Sequence, residues 1–374
     1  MHDKTEKTTN TMFNVCNPNN LSGLRQEDFQ KTIDNKQTDL FILTNKQGNE
    51  VAFTNYGGAL CTIMVPDKDG KRANVVQGHD SIEHVINSPN EFLSTLIGRY
   101  GNRICKGRFT LDGKEYKLAI NNGPNHLHGG PTGFHARVWD AEKLSENSVK
   151  LHRISPDGEE GFPGTVDITV VYTFTDNDEL VIEYKATTDK KTIINLTHHG
   201  FFSLSGLQKD TASVERYVLT LNADHYVPID DTSIPLGTID AVAGTPFDFR
   251  TPHVVGERID ADDLQTRNGA GYDHCWVLNK REPGELTFAA KCVDPVTGRC
   301  LEVYTTEPGV QIYTSNWHDG FEGWHGATFP KRSAICFEAQ HFPDSPNRDY
   351  FPNVVLKPGE VYTQTTIFKF SVEK

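Results

Sequence analysis

The chain has 374 residues and a formal net charge of −13. That charge argues against a general nucleic-acid or anionic-membrane partner, because both need clustered Lys and Arg, whereas a neutral small substrate fits. The seven cysteines are an odd number with no CxxC spacing, so neither a disulfide framework nor a zinc ribbon is read here, and reduced thiols in a cytoplasm are expected.

Along the chain, residues 1–25 are polar and form an expected flexible tail ahead of a single domain spanning 26–374. The opening MHDKTEKTTNTMFNVCNPNN has no apolar h-region, so no signal peptide is expected, and a periplasmic location would require a segment already removed. No run reaches the roughly 18 apolar residues of a spanning helix. The 67-DKDGK-71 stretch reads as a turn, and 80-DSIEHVI-86 as one of few short helical candidates. In 108-RFTLDGKEYKL-118, Asp112-Gly113 predicts a hairpin, because a type I′ turn needs positive φ at both central residues. In 165-TVDITVVYTFTDNDELVIEYKATTD-189, apolar residues recur with period two, at Val166 to Phe174 and again at Leu180 to Ala186. That is a half-buried hairpin. Further Gly-containing turn signals stand at 307-EPGV-310 and 357-KPGE-360. With no composition break and no internal repeat, the expected fold is all-β: a large antiparallel β-sandwich with long loops carrying the site.

Several constellations carry chemistry. Arg99 and Arg103 lie in 98-GRYGNRICKGRF-109, where the bland reading is solvated strand-end charge. In 121-NNGPNHLHGG-130, alternation puts His126 and His128 on one face of an extended segment. That pair can ligate a metal as in cupins, but Gly123 is only three positions ahead and no carboxylate follows. In 195-NLTHHGFFSL-204, His198 and His199 fall on opposite faces, so only one can reach a cleft. The stretch 271-GYDHCWVL-278 offers Asp273, and 306-TEPGVQIYTSNWHDG-320 offers Gln311, Tyr313, Asn316 and Trp317. In 335-ICFEAQHFPDSPN-347, Glu338 interrupts an apolar strand. Desolvating a carboxylate is costly unless it is paired, and it raises the pKa toward that of a useful base. Donors, acceptors, aromatic faces, an acid and a base together suit a polyhydroxylated ring. There is no GxSxG, Walker A, GxGxxG or HExxH motif.

These residues resemble the aldose 1-epimerase (galactose mutarotase) family from about Thr38 to Phe370. The resemblance rests on 53-FTNYGGAL-60, Gly-Asn-Arg-Ile, Asn-Asn-Gly-Pro-Asn…Leu-His-Gly-Gly, Asn-Leu-Thr…His, Gly-Tyr-Asp-His, Pro-Gly-Val-Gln-Ile-Tyr-Thr-Ser-Asn and Phe-Glu-Ala-Gln…Phe-Pro-Asp-Ser-Pro-Asn. It implies a β-sandwich with an open sugar cleft and interconversion of the α and β anomers of free aldohexoses, with no metal or cofactor in the chemistry. A monomer or weak homodimer is the expected state. By motif, Glu338 is the expected general base, His199 the general acid and His128 a second active-site histidine. Arg103, Asn102, Asp273 and Gln311 are expected sugar ligands. The chain departs from the family at His198, where Asn is usual, at Gly200-Phe201-Phe202-Ser203, where Ser/Thr-Tyr-Phe-Asn is usual, and at Glu307, where Gln is common. The Glu307 change reads as a loop difference without mechanistic weight. A non-catalytic sugar-binding module, a hexose-phosphate relative and a metal-dependent isomerase using His126 and His128 are the rival readings.

Overall fold

The 165–189 hairpin forms at the expected place in the computed structural model, which describes residues 20–374. Strand Val166–Phe174 pairs antiparallel with Glu179–Thr188, matching Val170 to Tyr184 and Phe174 to Leu180. Its alternate residues Val166, Ile168, Val170, Tyr172 and Phe174 are buried, as period two dictates when one face meets a core. The hairpin supplies the third and fourth strands of a nine-stranded antiparallel sheet that continues through Tyr362–Val372, Arg299–Thr305 and Thr287–Val293.

A six-stranded sheet runs in the order Phe201–Phe202, Ile335–Gln340, Gly309–Tyr313, Asp273–Val277, His225–Val227 and Asp240–Ala241. A four-stranded sheet spans Leu40 to Asn74. Phe53 and Ile63 of the small sheet, Tyr172 and Ile182 of the large one, and Trp276, Ile312 and Phe337 of the six-stranded one share a single buried cluster. This is sheet packing through interdigitating inner faces, the sandwich expected from the pattern.

Local signals also translate directly. Asp112 and Gly113 have φ of 50° and 77°, closing the Arg108–Leu111/Lys114–Lys117 hairpin. Helix Ile82–Ile86 is capped by Ser81, whose side chain accepts from the His84 amide. Gly309 has no positive φ; it lies inside a strand, where an added Cβ would come 2.7 Å from Cys275 Sγ. A second short helix, Leu264–Gly269, was not expected. Among the described residues no helix is long and apolar enough to cross a membrane. The expected tail, 1–25, lies mostly outside the described residues. Its last part is held to the body: the Leu21 and Ser22 amides donate to the buried Glu50 carboxylate, and Leu24 is buried.

Candidate active site

The six-stranded sheet aligns the polar residues of the site. Gln311 pairs with Glu338 across one strand boundary and Asp273 with Tyr313 across the next. All six side chains of the Ile335–Gln340 strand are buried. Phe337 faces the main core, which by alternation turns Glu338 the other way, into a cleft of about 170 Å³. Among the described residues its Oε2 has no hydrogen-bond partner.

Two histidines approach that carboxylate from separate loops. His199 Nε2 lies 3.5 Å from Glu338 Oε1, and His128 Nε2 lies 3.9 Å from Oε2. Both distances exceed a good hydrogen bond, leaving each group able to turn to a hydroxyl that bridges the two from the cleft side. His199 is clamped by its own backbone, its amide donating to Thr95 and its carbonyl accepting from Ser94. Its ring lies on Phe201, with centroids 4.6 Å apart and planes 3° from parallel. The departure at Gly200-Phe201 therefore leaves an aromatic platform under the histidine. His198 turns to the core, with Nε2 3.4 Å from the Gly58 carbonyl and its ring edge-on to Tyr172.

His128 and Asn102 both adopt left-handed backbone, with φ of 52° and 64°. For non-glycine residues this is a costly conformation that clusters at functional sites. It lets the Asn102 amide donate to His128 Nδ1 at 3.0 Å while the His128 amide donates back to the Asn102 carbonyl. Arg103 is oriented by Asn122 Oδ1, which accepts from its Nε at 2.9 Å, and its Nη2 lies 3.9 Å from Asp273. Glu338, His199, His128, Arg103, Asn102 and Asp273 thus line one cleft. Beside it, Gln311 Nε2 donates to Asp273 Oδ1 at 2.9 Å, while its buried Oε1 has no partner among the described residues.

Other sequence expectations change. His126 does not share a face with His128, because the left-handed turn at His128 ends the extended run; its Nδ1 contacts the Ala119 carbonyl instead. The metal reading built on His126 and His128 has no support from this geometry. Arg99 is not a solvated charge: it is buried and donates to the carbonyls of Pro163, Ser155 and Pro156. Asn316 is structural, its Nδ2 donating to Gly269 and Tyr272. Glu307 is no mere loop change, since it is buried and pairs with His341 Nδ1 at 2.7 Å. Phe92 was missed. It lines the cleft edge-on to His128, with centroids 4.9 Å apart, and an aromatic in an irregular loop carries no periodic signal.

Burial dominates the electrostatics. It raises Glu338 well above the ordinary carboxylate range, reinforced by Asp273 and opposed by Arg103. It raises Asp273 too, against Arg103 and Gln311. It pushes His199 down to about 3, with His198 adding to the effect, and holds His128 well below the ordinary imidazole value. A nearby carboxylate favours the imidazolium form, but at His199 desolvation outweighs it.

His128, His199 and Glu338 each offer a ligand atom within 4.8 Å of the others, close enough to hold a cation. The hydrogen bonding favours another use. Because Nδ1 of His128 accepts from the Asn102 amide, the neutral ring carries its proton on Nε2, the atom aimed at Glu338. That nitrogen is a donor, whereas a metal needs its lone pair.

A family model described as aldose 1-epimerase matches residues 39–369. Bovine galactose mutarotase is 44% identical over 323 residues, which is 86% of this chain and 91% of that protein. An Escherichia coli aldose 1-epimerase is 36% identical over 336 residues, 89% of this chain and 95% of that one. Among solved structures, an aldose epimerase homologue from C. elegans superposes with a TM-score of 0.81 at 30% identity, covering 90% of this chain and 100% of the other. Galactose 1-epimerase from Lactobacillus acidophilus gives 0.79 at 29%, covering 92% and 97%. The chain belongs to the aldose 1-epimerase family, isomerases that interconvert the α and β anomers of sugars.

Proposed function

We propose that Glu338 and His199 carry the proton transfers of this interconversion on free aldohexoses such as galactose and glucose. Glu338 takes the proton of the C1 hydroxyl while His199 gives one to the ring oxygen. The C1–O5 bond opens to the aldehyde, rotation about C1–C2 presents the other carbonyl face, and reclosure runs both transfers backwards. The observation that carries this reading is that His199 Nε2 and Glu338 Oε1 lie side by side, 3.5 Å apart, in the lining of one cleft.

The pair needs one proton between them. Desolvation favours the neutral acid beside neutral imidazole. A bound C1 hydroxyl donating to Glu338, with the Arg103 guanidinium nearby, favours the carboxylate and returns the proton to His199. His128 donates through Nε2 to the ring oxygen or an adjacent hydroxyl. Arg103, Asn102 and Asp273 bind hydroxyls, with Gln311 fixing Asp273. One positioned acid or base supplies about 10² to 10⁴ in rate, so two account for useful acceleration without a metal or cofactor.

A free sugar as substrate is supported by the cleft itself: Arg103 is the one Lys or Arg among its described lining residues, and it faces Asp273, which leaves no basic cluster for a phosphate. No nucleic-acid or membrane partner is proposed, consistent with the net charge of −13, and the chain acts as a monomer or weak homodimer. A cytoplasmic location is supported by six unpaired cysteines among the described residues. Polarimetry on freshly dissolved α-galactose, α-glucose and other aldoses tests the function. Faster equilibration than buffer alone supports it, and sugar binding without acceleration would instead identify a binding module.

A further inference from the structure

Away from the cleft, and sharing no lining residue with it, lies a cavity of about 940 Å³. Its lining includes the buried Glu307 paired with the partly exposed His341, together with Ile239, Tyr350 and Val361, three large apolar side chains left 39%, 56% and 52% exposed. Among the described residues His341 spends Nδ1 on Glu307 Oε2, while His341 Nε2 and Glu307 Oε1 make no hydrogen bond. Asn353, in the same lining, uses Oδ1 for the Val355 amide and leaves Nδ2 without a partner among the described residues.

We propose that this cavity is a second, non-catalytic carbohydrate site, in which a neutral sugar sets two of its hydroxyls on the Glu307–His341 pair. The chemistry selects the ligand. The lining carries both signs, Lys280 and Arg281 with Glu282, Glu307 and Glu360, and Lys280 Nζ is already spent on Glu285, Thr287 and Thr305 oxygens, so neither a free anion nor a free cation is singled out; Glu307 outweighs burial and leaves His341 above its ordinary pKa. Nε2–H points away from Glu307, so two hydroxyls are needed: one accepts from Nε2–H and another on the same sugar donates to Oε1. Asn353 Nδ2 offers a donor to a further hydroxyl, and the tyrosine and aliphatic walls suit the C–H faces of a pyranose. The volume exceeds that of the catalytic cleft several-fold, so the site can take more than one ring.

The test is equilibrium dialysis of the full chain against radiolabelled galactose and radiolabelled maltose, with Val361→Trp filling the cavity, Tyr350→Ala removing a wall and Arg103→Ala disabling the cleft. The wild type is expected to saturate at two equivalents with at least one sugar. Val361→Trp and Tyr350→Ala each lose one while keeping mutarotation within about twofold, and Arg103→Ala loses the other. Tyr350 and Val361 are exposed, so the variants are expected to fold, and unchanged circular dichroism checks it. Saturation at one equivalent with both sugars overturns the proposal, as does retention of two by folded Tyr350→Ala. Should mutarotation itself be absent while the cavity variants still lose an equivalent, the second site stands and the catalytic reading falls.

Discussion

Phe201 lies flat beneath His199, ring planes 3° from parallel and centroids 4.6 Å apart. The imidazole's Nδ1 has no partner among the described residues, so stacking, with Tyr313 edge-on at 6.2 Å, fixes the ring plane that a hydrogen bond would otherwise fix. Phe201→Leu is expected to lower kcat roughly 10- to 100-fold through misorientation of the acid, with KM little changed. Phe201→Tyr keeps the platform and should stay close to wild type. Equal loss in both variants would show that the stacking has no such role.

The raised Glu338 and lowered His199 set the pH profile. The single shared proton is retained in the free enzyme from His199's value of about 3 up to Glu338's raised one. Above the latter the proton leaves and no acid remains, so kcat/KM falls on the alkaline side. Asp273 helps raise Glu338, so Asp273→Asn should move this limb to lower pH while also weakening sugar binding. A pH–rate series on both proteins checks the direction, and an upward or absent shift would contradict the assignment.

His128 acts here as an Nε2–H donor held by the Asn102 amide. Chelators should therefore leave mutarotation unchanged, and His128→Asn is expected to lower kcat/KM by about 10²-fold. Loss of activity on dialysis against EDTA, restored by a divalent ion, would show that the buried His–His–Glu group holds a metal instead.

The Glu307–His341 pair belongs to stability. His341 has a raised pKa in the folded chain, so the pair stabilises fully below the unfolded value and loses that contribution as pH rises through the folded one. Glu307→Gln should lower stability by about 1–3 kcal/mol at acid pH, the gap to wild type narrowing as pH rises. Denaturant melts across pH read this directly, and a gap that widens with pH would contradict it.

What the sequence made legible was local or chemically anomalous. Period two placed the Val166–Phe174 hairpin, Asp112-Gly113 marked the turn of the separate Arg108–Lys117 hairpin, and Glu338 was conspicuous as a carboxylate in an apolar strand. Relationships made only by the fold were not legible. Glu307 and His341 are 34 residues apart in sequence, Phe92 meets His128 through a loop, and Arg99 finds its carbonyls more than 50 residues away. The pairing of His126 with His128 failed for a backbone reason, because alternation assumes extended residues and His128 is left-handed.

Glu338→Gln keeps the shape of the side chain and removes its capacity to accept the C1 proton. Polarimetry of freshly dissolved α-galactose with this variant, alongside sugar affinity by dialysis, is the decisive measurement. Binding at the cleft should persist while kcat drops by about 10²- to 10⁴-fold, with His199→Asn behaving alike. Mutarotation near the wild-type rate in either folded variant would mean that the carboxylate and imidazole side by side in the cleft do not carry the protons.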